Sequence, residues 1–314
     1  MPPTVCWFIQ SHRDPEQIVR LLRVLRAGSD GPIVLRHDDD ATRFDPTPAL
    51  ALGNVHLLAA SGRQVRGSFS CQVQPYIDAI DWLDETNVAY DWLINLTAQD
   101  YPVRPVSAIE HDLAVATCDG FVRWWDVLGS ESPWSVRKAR ARYWHRYRLL
   151  PPGSERGLRL LRWLTRLAPL HFYLDYGAWV GVRRWSVPFR DELRCMGGRS
   201  WWTLRRDVVR YFREFLRARP DVVDHYRGTI APEESLVPTV LVASRRFDLV
   251  NDDLRYIDYS NAIKGSPRTL SVADVPMLAA GGYHFARKFD LSVDREVLDV
   301  IDRTLLDVSL DRVR

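Results

Sequence analysis

The sequence predicts an α/β protein built on a mostly parallel central sheet flanked by helices. Three observations predict it. Short apolar runs of strand length recur through the first 120 residues. Segments with helical spacing alternate with them, the pattern of strand–helix–strand units. The chain has 314 residues, 46% of them hydrophobic, which is ample for one large core. No apolar run reaches the roughly 18 residues that a membrane span needs.

Residues 4–10 form the first expected strand, a short apolar run that reads as buried. Asp14 is placed to cap the next helix, whose apolar face carries Ile18, Leu21, Leu22 and Leu25. Gly28 and Gly31 end it. Residues 33–35 and 55–58 are the second and third strands. Residues 70–83 set Val73, Ile77, Ile80 and Leu83 on one helical face, and 92–96 are the fourth strand. In such sheets ligands bind beyond the carboxyl ends of the strands. That points to the segments after Gln10, Leu35 and Leu96. Residues 131–170 differ: rich in Arg and Trp, almost free of acids and broken by Pro151-Pro152-Gly153, they read as an inserted flap. Beyond it come a helix near 205–217, a second opening at Glu233, short strands near 254–257 and a terminal helix from Asp294.

The net charge is +3 and the pI near 8.7, too mild to imply nucleic acid. The four cysteines, Cys6, Cys71, Cys118 and Cys195, are scattered without metal-type spacing. With an N-terminus that lacks signal-peptide regions, they lead us to expect a reduced, cytoplasmic setting. G-x-G-x-x-G, G-x-x-x-x-G-K-[ST] and G-x-S-x-G are all absent, so dinucleotide binding, a P-loop and a hydrolase elbow have no support.

The stretch WLINLTAQDYP at 92–102 resembles the N-L-[ST]-x-x-D-[YF]-P strand end of the core 2/I-branching β-1,6-N-acetylglucosaminyltransferases and their peptide O-xylosyltransferase relatives. More matches follow in the family's order. Residues 8–12 lead into an R-L-L-R helix, and His37-Asp38-Asp39 resembles H-V-D. Arg66-Gly67-Ser68-Phe69-Ser70 resembles W-G-x-x-S with Arg for Trp. Tyr176–Trp179 matches a small-plus-aromatic stretch, and Pro232-Glu233-Glu234-Ser235 with Thr239 resembles P-D-E-x-x-x-x-T. Residues 254–259 resemble L-R-x-x-D-W, and 285–290 read FARKFD outright. The resemblance implies a GT-A-like, Rossmann-like glycosyltransferase fold over 1–314. Residues 1–125 would bind nucleotide-sugar, 126–170 would be the basic flap, and 171–314 would bind acceptor and carry catalysis. It further implies a UDP-sugar donor, N-acetylglucosamine or xylose as the transferred group, inversion, a β-linkage, and no metal requirement.

Inverting transfer needs one carboxylate to take the acceptor's proton and positive charge to meet the leaving diphosphate. The resemblance assigns Glu234 as the base, with Glu233 read as an acid complementing a helix dipole. It assigns Arg268 and Lys288 to the diphosphate, and His12, Asp39 and Asp100 to the donor. Glu131, Arg142 and Tyr256 fall at acceptor positions, while the lysine expected between the first two falls on Ala139, beside Lys138. Asp38-Asp39-Asp40 contains a literal D-x-D, which keeps a metal-dependent alternative in view.

Residues 157–168 (GLRLLRWLTRLA) set Arg159, Arg162 and Arg166 near one helical face and Leu160, Leu161, Leu164 and Leu167 near another. An acceptor lid or dimer surface accounts for this, as does docking on an anionic membrane. The alternative class is a binding protein, either a non-catalytic sugar-binding relative or a nucleic-acid binder using this patch. No nucleic-acid motif accompanies the patch, so nucleic acid is not an expected partner.

Overall fold

The computed structural model describes residues 3–62, 64–166, 169–260 and 266–308. Its main sheet uses β1 (Val5–Ser11), β2 (Ile33–His37), β3 (Val55–Leu57), β4 (Trp92–Thr97), β6 (Gly120–Asp126), β10 (Met196–Arg205) and β11 (Leu249–Val250), in the order β11-β6-β10-β4-β1-β2-β3. A second sheet pairs β12 (Arg255–Ile257), β13 (Phe285–Arg287) and β5 (Asp100–Pro102). A third pairs β7 (His145–Leu149), β9 (Trp179–Arg183) and β8 (Leu170–Tyr173).

In the main sheet only β10 runs against the others. The expected α/β architecture, a mostly parallel sheet flanked by helices, is the one observed. β1 lies between β2 and β4, with Trp7 opposite Ile33 and Ile94. Its side chains alternate between two cores. Val5, Trp7 and Ile9 pack with Ile18, Leu21, Leu22 and Leu25 of the helix Pro15–Gly28, and Cys6 and Phe8 pack with Val73 and with Ile77 and Ile80 of the helix Gln74–Glu85 that follows it. A strand buried on both faces reads as a continuous apolar run, which is why residues 4–10 were legible.

Three expectations change. Asp14 does not cap its helix: its backbone is left-handed (φ 54°), it makes no side-chain cap bond, and its carboxylate pairs with Arg13. Pro15 occupies the first turn instead, where a missing N–H costs nothing. The flap is not an isolated insertion, because β7 and β8 both pair with β9, which lies beyond residue 170. Its amphipathic helix is short: Glu155–Leu160 is α-helical and Leu161–Arg166 is 3₁₀. Leu158 is buried, but Leu160 and Leu161 are exposed. The side chains of Arg162, Leu164, Arg166 and Leu167 lie outside the described residues.

Candidate active site

The carboxyl ends of β1, β2 and β4 open onto a cleft of about 1460 Å³. Gln10–Arg13, Arg36, Asp38 and Thr97–Gln99 line it, close to where the strand-end argument pointed. The opposite wall comes from the helix Val136–Tyr143 and the 3₁₀ turn Pro232–Glu234. A smaller cavity of about 590 Å³, lined by Arg184, Arg190 and His225 among others, holds none of the expected site residues.

Glu234 lines the cleft at the end of its 3₁₀ turn, which a left-handed Ala231 (φ 50°) swings into place. Its carboxylate accepts a short hydrogen bond from Arg142 Nη1. Burial works against the charge of Arg142, yet Glu234 raises its pKa further, so the guanidinium stays ionised. Arg142 also lies 4.8 Å over the Trp134 ring. Ser135 fixes this helix start by accepting from Lys138 N–H at 3.2 Å. Glu233 is not the surface dipole acid expected. It is buried, with Oε2 unpartnered, and burial together with the charge of Glu234 pushes its pKa up to about 8.

Of the residues expected on the acceptor side, Glu131 is exposed and lines the cleft. Ala139, where a lysine was expected, is fully buried, and Lys138 supplies a cation beside it, 5.6 Å over Trp134. Burial and then Arg142 lower the pKa of Lys138. Tyr256 does not reach the cleft; it packs on Tyr283 at 5.4 Å, while Tyr259 lines the cleft.

His12 stands in the cleft with its pKa lowered by burial, then by Arg13 and Arg66. Asp39 points to solvent and Asp38 takes the cleft position. Asp100 is fully buried beneath the floor rather than exposed to a ligand. It accepts from Thr97 N–H (2.5 Å), Trp201 Nε1 (3.1 Å) and Arg287 Nη1 (3.1 Å). The antiparallel register that sets Arg287 opposite Asp100 delivers this pair. Arg287 then lies 4.1 Å over Trp201 and lines the cleft. Arg268 does not line it: Asp258 and Asp274 engage it, at 2.6 Å each, and Asp258 is held down to about 2 by hydrogen bonds from Ser260 and Arg268. Lys288 donates to Ser266 Oγ at 3.0 Å, next to the cleft-lining Ser266. Its pKa is lowered by burial, then by Arg13 and Arg287, and more weakly by Arg66.

Sequence reasoning missed several cleft residues. Arg66 lies 4.8 Å over Tyr176, its backbone turning at Gly67 (φ 81°), where a side chain would strike the Tyr176 ring. Arg36, next to the last residue of β2, is buried in the cleft wall. It donates to Gln64 Oε1 at 3.3 Å, but its Nε and Nη2 have no hydrogen-bond partner. An Arg following an apolar run was a usable signal. Trp201 carried none, because its strand is irregular. Among the described residues no group of three His, Cys, Asp or Glu side chains is placed to hold a metal ion.

No protein-family model matches the chain. It is 28% identical over 220 residues to beta-glucuronosyltransferase GlcAT14B of Arabidopsis thaliana, covering 69% of this chain and 44% of that protein. It is 29% identical over 228 residues to GlcAT14A of the same plant, covering 69% and 43%. The chain thus spans less than half the length of these curated relatives. Among solved structures, a nucleoside-diphosphate-sugar pyrophosphorylase from Vibrio cholerae aligns with TM-score 0.34 and 12% identity, over 77% of this chain and 89% of that one. A 4-diphosphocytidyl-2C-methyl-D-erythritol synthase from Anaerococcus prevotii aligns with TM-score 0.35 and 8% identity, over 89% and 96%.

Proposed function

We propose, from the premise that the chain is distantly related to glycosyltransferases, that it transfers a sugar from a UDP-sugar to a hydroxyl of a glycan or glycoconjugate with inversion. One observation carries the reading: Glu234 faces the same cleft as a group of cations. The acceptor oxygen attacks the anomeric carbon, its proton passes to Glu234, and the bond from that carbon to the diphosphate breaks. Negative charge then gathers on the leaving oxygen. Arg13, Arg66 and Arg287 line the cleft and Lys288 sits within electrostatic reach of all three, so their mutual repulsion is relieved when an anion binds. Arg142 donates to the Glu234 carboxylate and orients it. Lys138 and Glu131 take the acceptor side. Trp201, Tyr176 and Trp134 offer flat faces to base and sugar.

The core 2/I resemblance favours N-acetylglucosamine or xylose as the transferred group, and the names of the relatives add glucuronic acid. The deciding experiment is a panel of UDP-sugars scored for release of UDP and for thermal shift. Saturable UDP release with one sugar, lost in Glu234→Gln, is expected. Donor binding without turnover for every sugar would leave a sugar-binding relative and sink the catalytic reading.

A further inference from the structure

Among the described residues, the outer face of the third sheet is only partly covered. Register defines that face: Arg146 and Arg148 of β7 stand opposite Val182 and Val180 of β9, which stand opposite Leu170 and Phe172 of β8. Directly paired residues share a face. The other face turns inward, with Tyr147 and Trp179 buried in a small core with Ile230 and Ala231. Val182 is 49% exposed. The segment that leads into β8 adds Leu160 at 81% and Trp163 at 55% exposure, and the turn after β9 adds Trp185 at 98%. Around them Arg146, Arg148, Arg156 and Arg159 are exposed, with Glu155 as the acid of the adjoining helix.

Exposed tryptophans and leucines ringed by arginines have two chemical requirements. The apolar groups need a partner that removes them from water, and the cations need negative charge. A second copy of this face meets the first and fails the second, because it would set arginine against arginine. A bilayer carrying anionic headgroups meets both: indole rings settle at the headgroup level while guanidinium groups reach the phosphates. Among the described residues no helix is long and apolar enough to cross a membrane, so this contact is made from one side. We propose that the β7-β9-β8 face, with Trp163 and Trp185, docks the protein on an anionic lipid surface. The sheet begins two residues after Tyr143, which ends the helix carrying Lys138 and Arg142, so the docked face and one wall of the cleft belong to one continuous segment.

The full chain should co-sediment with vesicles of phosphatidylglycerol and phosphatidylcholine, remain in solution with vesicles of phosphatidylcholine alone, and be released by salt. Arg146→Ala with Arg148→Ala should weaken the partition on the order of 30-fold, about fivefold for each cation. Trp163→Ala with Trp185→Ala should abolish the blue shift of tryptophan fluorescence on vesicle addition. All four side chains are exposed, so melting temperatures should be unchanged, and the salt dependence of the unaltered chain tests the idea without any variant. Equal binding to neutral vesicles, no sedimentation, or a dimer lost in the tryptophan double variant would each overturn the proposal. So would salt-sensitive retention on DNA in place of vesicle binding.

Discussion

Two adjacent carboxylates at one turn carry different chemistry because their surroundings differ. Glu234 faces the cleft with Arg142 as a counter-ion, whereas Glu233 is buried beside that charge with an oxygen left unpartnered. Glu234→Gln keeps the shape and removes the basicity. It should bind UDP normally and lose roughly 10²–10⁴ in turnover; near wild-type turnover in single-turnover kinetics would show that Glu234 is not the base. Glu233 makes a different prediction. Its pKa rises from the ordinary 4.5 to about 8, so within that window the folded chain holds a proton that the unfolded chain has lost. Its contribution to stability is therefore full below the lower value and declines as pH rises towards the upper one. Glu233→Gln should flatten this part of the stability–pH curve and leave the protein more stable at pH above about 8. Melting curves across that range decide it, and an unchanged slope would mean the carboxyl is solvated. Arg36 is a second buried side chain at the cleft with hydrogen-bonding atoms left over, its Nε 3.8 Å from Asp78 Oδ2 and its Nη2 without a hydrogen-bond partner. Removing it should weaken UDP binding more than it harms folding, since burial of unpaired N–H groups already costs stability.

At the scale of elements, legibility followed the period of the apolar pattern. β1, β2 and β4 read directly because both faces are buried and the runs are unbroken. The helices Pro15–Gly28 and Arg206–Ala218 read from their 3.6-residue spacing. β10 was invisible. Its pattern breaks at Gly197-Gly198, where the register with β6 shifts before Trp202, and a Cβ at Gly198 would meet the Arg123 carbonyl oxygen at 2.2 Å. Neither alternation nor helical spacing survives that irregularity. The same limit shaped the site. His12 and Glu234 were legible because each sits in a recognisable motif, whereas Glu131 and Arg142, which share the same cleft, were expected there only from the spacing of the resemblance. Arg287 was not among the expected site residues, although it lines the cleft beside the expected Lys288, because its position is set by pairing with Asp100 that sequence does not display. That pairing can be tested alone. Asp100→Ala leaves the guanidinium of Arg287 half-buried without its carboxylate and Trp201 Nε1 without its acceptor. It should cost about 3–5 kcal/mol of stability, the usual penalty for breaking a buried pair. Chemical denaturation measures it, and a loss under about 1 kcal/mol would mean that the pair is solvated.

For the whole molecule, a modest net charge of +3 hides an uneven distribution. Cations converge at the cleft and again on the outer sheet face, while some arginines elsewhere are neutralised locally, as Arg213 and Arg217 are on Asp81. The cleft cluster bears on how a leaving diphosphate is stabilised. A divalent ion would do so by bridging phosphate oxygens and needs carboxylates converging on one point. Asp38 lines the cleft, but Asp40, the other acid of the D-x-D, is exposed and does not line it, so the motif does not present two carboxylates to one ion there. Arg13, Arg66 and Arg287 line the cleft with Lys288 nearby, whose pKa burial lowers first and these arginines lower further. Fixed guanidinium groups can meet the developing charge without the metal and without reorganising. Transfer should therefore survive excess EDTA, and Arg287→Ala should lower both UDP affinity and turnover, the latter by on the order of 10²–10³. Two results would defeat this reasoning. One is complete loss of activity in EDTA that Mn²⁺ restores. The other is wild-type UDP affinity in the Arg287 variant, which would move the diphosphate away from this cluster and reopen Asp38 as a ligand.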